Sequence, residues 1–307
     1  MSLFEDTNWP RASAWLRGES LPNAIGEIGV MGVPIAKGSI TPGRCDLAPA
    51  AIRKALERYS TYDFDSDRDL RLLSAIDEGD LNVSFMTPEQ AFQPVMEAVG
   101  VSVEAAPALI LVGGDNSITR PGCHGLGVPL ARCGLLTLDA HLDLRHLEGG
   151  LTNGNPVRAL LRDGLPGDHI FQIGIQPFAN SEAYARVARV AGIHVVTADC
   201  VMERGVGAVV REALEYLDQR TERIYVDLDL DVLDRAFAAA TPGSRPGGLA
   251  PHQVRQAAHI CGAHPKVRVM DLVEMDPTHD IAGATALVAA ACLLEFASGV
   301  LGRFTRV

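Results

Sequence analysis

A chain of 307 residues is long enough to bury one large core, and 47% hydrophobic against 21% charged residues excludes a disordered protein and fits a soluble α/β protein. The formal net charge of −11 excludes a phosphate-reading surface, which needs excess Lys and Arg, and with it nucleic acid and anionic membrane as partners.

In chain order, the N-terminal stretch MSLFEDTNWPRASAWLRGES carries acids and no apolar core, so it does not read as a signal peptide, and a cytoplasmic address is expected. Residues 1–23 read as an extension. Strand-length apolar runs then alternate with segments of helical period. The strands are IGEIGVMGVPI (25–35), RLLSAID (71–77), PALILVGG (107–114), GLLTLDA (134–140), HIFQIGI (169–175), HVVTAD (194–199), RIYVDLDLDVL (223–233) and KVRVMDLVEM (266–275). The helices are Ala48–Tyr59, Pro88–Ala105, Pro156–Asp163, Ser181–Ala191, Gly207–Gln219, Pro251–Cys261 and Ala284–Val300. Thr87 or Pro88 opens the second helix and Gly192 closes the fourth. The last helix is alanine-rich and carries Glu295, so it reads as a packed core helix and not a membrane span. Eight strands alternating with helices predict one α/β domain, a parallel sheet covered on both faces. The cysteines Cys45, Cys123, Cys133, Cys200, Cys261 and Cys292 lie far apart, with no C-x-x-C, and read as inert thiols.

Ligand chemistry in such a sheet gathers at the carboxyl ends of strands, and the unusual residues lie there. LDAHLDLR places Asp139, His141 and Asp143 two apart, on one face of an extended strand end. RIYVDLDLDVLDR does the same with Asp227, Asp229 and Asp231, with Leu228 and Leu230 turned to the core. Converging carboxylates repel unless a cation lies among them. An edge strand guarded by negative charge is the competing reading of either cluster alone; two clusters in one chain favour metal. Oxygen donors with one imidazole suit Mn(II) better than Zn(II), and the acids suffice for two metals activating a water, which makes hydrolysis the leading reaction class.

The motifs GGDNSIT, DAHLD, DLDVLD with RPGGL downstream, and DLVEMDP resemble those of the ureohydrolases, the arginase, agmatinase and formimidoylglutamase superfamily. GVPIAKGSITPG, APAAIRKAL and DEGD extend the resemblance over nearly the whole chain, residues 1–307 forming a single ureohydrolase domain. It implies a three-layer arginase-like fold with an eight-stranded parallel sheet, two Mn2+ ions, a homo-oligomer (trimer or hexamer) and hydrolysis of amidine or guanidine C–N bonds. By position it implies that Asp139 and Asp229 bridge the metals, that Asn116 and Asp143 complete one, and that His141 and Asp231 complete the other. It also implies that Glu274 holds the substrate amidinium. Asp115 is expected to steady its neighbours, and Asp227 stands where the family often has a serine.

Two positions depart from most of the superfamily. A histidine usually follows GGD, and here Asn116 does; an uncharged amide oxygen is the weaker donor, so that metal is expected to be loosely held or absent. No proton-shuttling histidine lies near Asn153. Both departures, with DAHLDLR and IGIQPFANS, resemble the formimidoylglutamase subgroup. Arginase usually has acidic residues where this chain has Gln176 to Ala179, which disfavours L-arginine. A substrate with two carboxylates asks for arginines, and Arg145 is the first candidate, with Arg158 and Arg245 in nearby loops and Asn153 among the substrate-binding residues. Asp143 is expected to accept the water's proton; the leaving nitrogen takes its proton from Asp143, water or His146. An agmatine, guanidino-acid or hydroxyarginine hydrolase, and a metal-poor non-catalytic protein, stay open as alternatives.

Overall fold

The computed structural model describes residues 6–305. Eight strands form one sheet: β1 (Gly26–Val33), β2 (Leu73–Asp80), β3 (Leu109–Gly113), β4 (Cys133–Leu138), β5 (Ile170–Ile175), β6 (His194–Thr197), β7 (Arg223–Asp229) and β8 (Val267–Val273). Their spatial order is β2-β1-β3-β8-β7-β4-β5-β6, and every pairing is parallel. The expected count and direction of strands are therefore observed.

Parallel strands buried on both faces read as unbroken apolar runs, and Leu109 to Val112 shows why. Ile110 and Val112 join the core on one face while Leu109 and Leu111 join the core on the other. The first core is closed by α1 (Ala12–Leu16), α2 (Ala48–Ala55), α7 (Ala198–Arg204), α8 (Val206–Asp218), α9 (Pro251–Ala263) and α10 (Ala284–Phe304). The second lies under α3 (Pro88–Ala105), α4 (Thr119–His124), α5 (Pro156–Asp163) and α6 (Glu182–Ala191).

The caps match the sequence signals. Thr87 and Gln90 form a capping box on α3, and Gly192 closes α6 in the left-handed conformation. α10 is long and apolar enough to cross a membrane, yet 72% of its most apolar window is buried. It packs on α9 where a Cβ on Gly299 would collide with the His259 carbonyl and one on Gly262 with the Phe296 carbonyl, so small residues set that close crossing.

Several element bounds differ from the expected ones. Within the N-terminal extension, residues 12–16 pack on the sheet: Trp15 is fully buried and its Nε1 donates to the Leu73 carbonyl at 2.6 Å. β2 runs on to Asp80, past the expected end at Asp77. β6 stops at Thr197, whose hydroxyl accepts from the Cys200 amide at 3.3 Å and starts α7, so Ala198 and Asp199 are helical. The short α4 follows the GGDN turn directly, a helix too brief for periodicity to reveal.

Candidate active site

β3, β8, β7 and β4 are consecutive neighbours at the middle of the sheet, and the chemistry-bearing residues follow their carboxyl ends. This central placement removes the edge-strand reading of the acidic motifs. Neither motif acts by strand alternation alone. β4 ends at Leu138, and Asp143 takes a left-handed backbone with φ 52°. β7 ends at Asp229, whose carboxylate accepts from the Asp231 amide at 2.8 Å and caps a 3₁₀ turn over Leu230–Val232. The leucines do face a core as expected, but the acids are buried too: Asp139, Asp143, Asp229, Asp231 and Glu274 are each at most 7% exposed.

After β3, Gly114 packs so closely on the Ile35 backbone that any Cβ would overlap it. Asp115, fully buried, accepts from the Gly38 amide at 2.8 Å and the Ser117 amide at 3.0 Å. It ties the 34–39 loop to the turn that presents Asn116. Glu274 follows β8 with φ 68°. Left-handed backbone at two non-glycine acids is strain that persists only where the surroundings enforce it, and such strain clusters at functional sites.

His141 Nδ1 stands 2.9 Å from Asp231 Oδ2 and 3.4 Å from Asp139 Oδ1. One donor atom from each of these three residues lies within 4.8 Å of the others, the spacing of a metal-ligand set. Asn180, which sequence reasoning missed, fixes the intervening backbone: it accepts from the Leu142 amide at 2.8 Å and donates to the Ala140 carbonyl at 3.1 Å. It lies within IGIQPFANS, but that motif does not say which backbone it braces.

Asn116 is placed differently from a ligating amide. Its Nδ2 faces Asp143 Oδ2 at 2.6 Å, and its Oδ1 faces the Thr119 hydroxyl at 2.6 Å. That hydroxyl also lies 3.1 Å from Asp271 Oδ2 and has one proton to share. If it donates to Asp271 it must accept from the amide, and the amide then turns its oxygen to Asp143. Two acceptors facing each other need a proton or a cation between them, so the flipped amide is the orientation that a metal ion there would favour.

The electrostatics point the same way. Burial, then Asp231, pushes Asp139 up to about 7. Burial, then Asp115, pushes Glu274 up to about 8. Asp143 and Asp229 are raised by burial first and by neighbouring acids next. Burial opposes charge on His141, but Asp231 and Asp139 outweigh it and raise the ring to about 11. Burial likewise opposes charge on Asp231, and the His141 charge outweighs it to hold that carboxyl low. Buried acids with one imidazole among them form a cluster that a hard divalent cation would neutralise, so the donor set fits manganese.

A cavity of about 370 Å³ opens on these groups, with Asp143, Glu274, Arg145, Asn153 and Arg245 in its wall. Asn153 Nδ2 donates to Glu274 Oε1 at 3.1 Å, and the backbone N–H of Asn116 donates to the same oxygen at 2.6 Å, which leaves Oε2 for a substrate. Arg145 makes no ion pair among the described residues and packs beside Gly154. Arg245 Nη1 stands 2.7 Å from His141 Nε2. The expectation for Arg158 needs correcting: it is absent from the cavity wall, and its amide instead ties α5 to the Asp143 carbonyl at 3.1 Å. His146 is exposed and also outside the wall. His279 pairs with Asp276 at 3.0 Å on the surface.

The Arginase family profile matches residues 26–298. The chain belongs to the arginase family. It is 37% identical to the formimidoylglutamase of Halalkalibacterium halodurans over 90% of this chain and 88% of that one. The crystal structure of formimidoylglutamase from Bacillus subtilis superposes with a TM-score of 0.90 at 29% identity, covering 98% of this chain and 94% of that one. A formiminoglutamase of Trypanosoma cruzi, solved with Mn2+, shares the fold at a TM-score of 0.86 and 22% identity, covering 96% of this chain and 99% of that one.

Proposed function

We propose that this arginase-family protein is a formimidoylglutamase, converting N-formimidoyl-L-glutamate and water to L-glutamate and formamide. The observation that carries the reading is the cavity wall, which holds two acids suited to an amidinium and its attacking water, and two arginines suited to two carboxylates. Similarity to formimidoylglutamases over most of the chain supports it.

Asp139, Asp229, Asp231 and His141, with Asp143 and the flipped amide of Asn116, would hold two manganese ions. Bound there, such ions supply Lewis acidity that makes water a nucleophile near neutral pH. The chain's own groups do the rest. Glu274 holds the amidinium through Oε2, its Oε1 being fixed by Asn116 and Asn153. Asp143 takes the proton of the attacking water and returns it to the departing glutamate nitrogen as the C–N bond breaks. With His146 outside the wall, His141 is the histidine that lines the cavity among the described residues, and it is taken up as a metal ligand. Arg145 and Arg245 take the carboxylates, excluding cationic substrates such as agmatine.

The test is release of glutamate and formamide from N-formimidoyl-L-glutamate by manganese-loaded protein, beside agmatine, L-arginine, hydroxyarginine and 4-guanidinobutyrate. Turnover of the first compound alone is expected. Turnover of a guanidino compound alone would overturn the substrate and keep the chemistry; silence on all five would overturn both.

A further inference from the structure

Between Leu138, where β4 ends, and Pro156, where α5 begins, the chain forms no helix or strand. That stretch nevertheless delivers Arg145 and Asn153 to the cavity wall, so something other than a ladder must hold it. Its two ends meet where the Arg145 amide donates to the Gly154 carbonyl at 3.1 Å, which closes residues 146–153 into a compact surface loop. Arg145, His146, Glu148, Gly149 and Gly150 are exposed, and a loop whose backbone is bonded only to water is free to open.

Asn155 supplies the missing partners. An asparagine immediately before a helix ordinarily turns its side chain forward, to the first amides of that helix. Asn155 stands in that position on α5 yet makes no such bond. The residue is only 1% exposed, and its side chain turns back into the loop. Oδ1 accepts from the Thr152 amide at 2.8 Å, while Nδ2 donates to the carbonyls of His146 at 3.2 Å and Gly150 at 3.0 Å. Serine, threonine and aspartate cap helices as well, but none of them offers an acceptor together with two donors. The amide is therefore chosen for the loop and not for the helix.

The consequence falls on Arg145. A Cβ on Gly154 would stand 2.8 Å from Arg145 Cδ and 2.7 Å from Ile40 Cδ1, so the stem of the arginine is laid along the glycine at the closed base of the loop. Asn153 is secured separately: its amide donates to the Gly38 carbonyl at 2.8 Å, and its Oδ1 accepts from the Ile40 amide at 3.0 Å. Loss of the Asn155 bonds would thus free the arginine and leave the amidinium end of the cavity in place. Asn155 itself is absent from the cavity wall.

We propose that Asn155 is a positioning residue for substrate specificity: without touching the substrate, it anchors the loop that aims Arg145 at a substrate carboxylate. The specificity role rests on the substrate proposed above; the anchoring role does not.

The test compares the manganese-loaded wild type with N155D and G154A. N155D keeps the size and the acceptor and loses both donors; G154A keeps all three bonds and displaces the Arg145 stem. Amide hydrogen exchange over residues 146–152 should accelerate about tenfold or more in N155D, with α5 unmoved, and stay at the wild-type rate in G154A. Both variants should raise KM for N-formimidoyl-L-glutamate about tenfold, with kcat changed only a few-fold. Neither should alter hydrolysis of N-methylformamidine, which has no carboxylate, and N155D added to R145A should cost nothing further. Unchanged exchange in N155D would overturn the anchor. Faster exchange with unchanged KM, or equal losses on both amidines, would overturn the specificity role and leave Asn155 a stabilising residue. No wild-type turnover of N-formimidoyl-L-glutamate would overturn the substrate and the specificity role together, and exchange alone would then decide the anchor. Should N155D fail to fold, N155S, smaller and without the two amide donors, takes its place in every arm.

Discussion

The two halves of the acid cluster are built on different principles. On one side His141 Nδ1 lies 2.9 Å from Asp231, and the ring serves as a cation when protonated and as a ligand when neutral. On the other side Asn116 presents an amide to Asp143, which can neither carry charge nor lose a proton. The comparison teaches that a histidine-based metal site is electrostatically balanced before metal arrives, whereas the asparagine-based one acquires its balance only with the metal.

The strongest way to break the comparison is D231N. It removes the charge that keeps His141 protonated and an expected metal ligand together, so both roles of the balanced half fail. Turnover should fall by roughly 10²- to 10³-fold or more, with about one equivalent of manganese lost by elemental analysis. Retention of two equivalents would mean the halves are not separable.

Next in size is N116H, which should make the halves alike. An imidazole in place of the amide should tighten manganese on that side by about 10- to 100-fold in equilibrium dialysis. Unchanged affinity would show that the side chain at 116 does not reach the metal.

The arginines sharpen the comparison from the substrate side, because Arg245 contacts His141 while Arg145 flanks Asn153. Whether His141 is charged or ligates through Nδ1, the ring keeps a proton on Nε2 and offers Arg245 no acceptor there, so the guanidinium is available to a carboxylate. R145A and R245A should each raise KM for N-formimidoyl-L-glutamate by roughly 10- to 100-fold, the worth of one charge-assisted hydrogen bond, with kcat changed only a few-fold. A loss in kcat with constant KM would place either residue in the chemistry instead.

Acidity separates the metal-free from the loaded protein. Asp139, raised to about 7, and Glu274, raised to about 8, hold protons more tightly folded than unfolded. Their stabilisation is lost as pH rises from the ordinary carboxyl range through those values. His141, raised to about 11, contributes fully below its ordinary value of 6.5 and loses that contribution as pH rises through 11. Asp231, held low, matters only in strong acid. Metal-free protein should therefore melt lower by roughly 5 °C at pH 8 than at pH 5, and manganese should abolish the decline. A flat metal-free profile would mean the cluster is not the main titrating unit.

The sheet was legible because a parallel strand buried on both faces writes itself as a long apolar run, and helices such as Pro88–Ala105 carry their own caps. The acids were legible because Asp139, His141, Asp229 and Asp231 interrupt those runs at their ends. What the sequence hid depends on the meeting of distant segments. Arg158 stands near the acidic loop in the chain but contributes only its backbone, while Asn180 gives no local sign of the backbone it braces. Thr119, Tyr225 and Asp271 come from three elements and meet only in the fold.

That last group offers the finest test of the two halves. The Thr119 hydroxyl is the junction between Asn116 and Asp271, and its single proton decides which way the amide faces. T119V keeps the volume and removes the hydroxyl. The amide nitrogen then has no acceptor at position 119, so the orientation with the oxygen toward Asp143 loses its support. Manganese on the Asn116 side should weaken by about three- to tenfold, one neutral hydrogen bond, while the His141 side, which shares no atom with this junction, should be unmoved. In N116H the same substitution should act differently, because an imidazole has no amide to orient. Equal weakening in both backgrounds would show that Thr119 acts through packing and not through the proton it gives to Asp271.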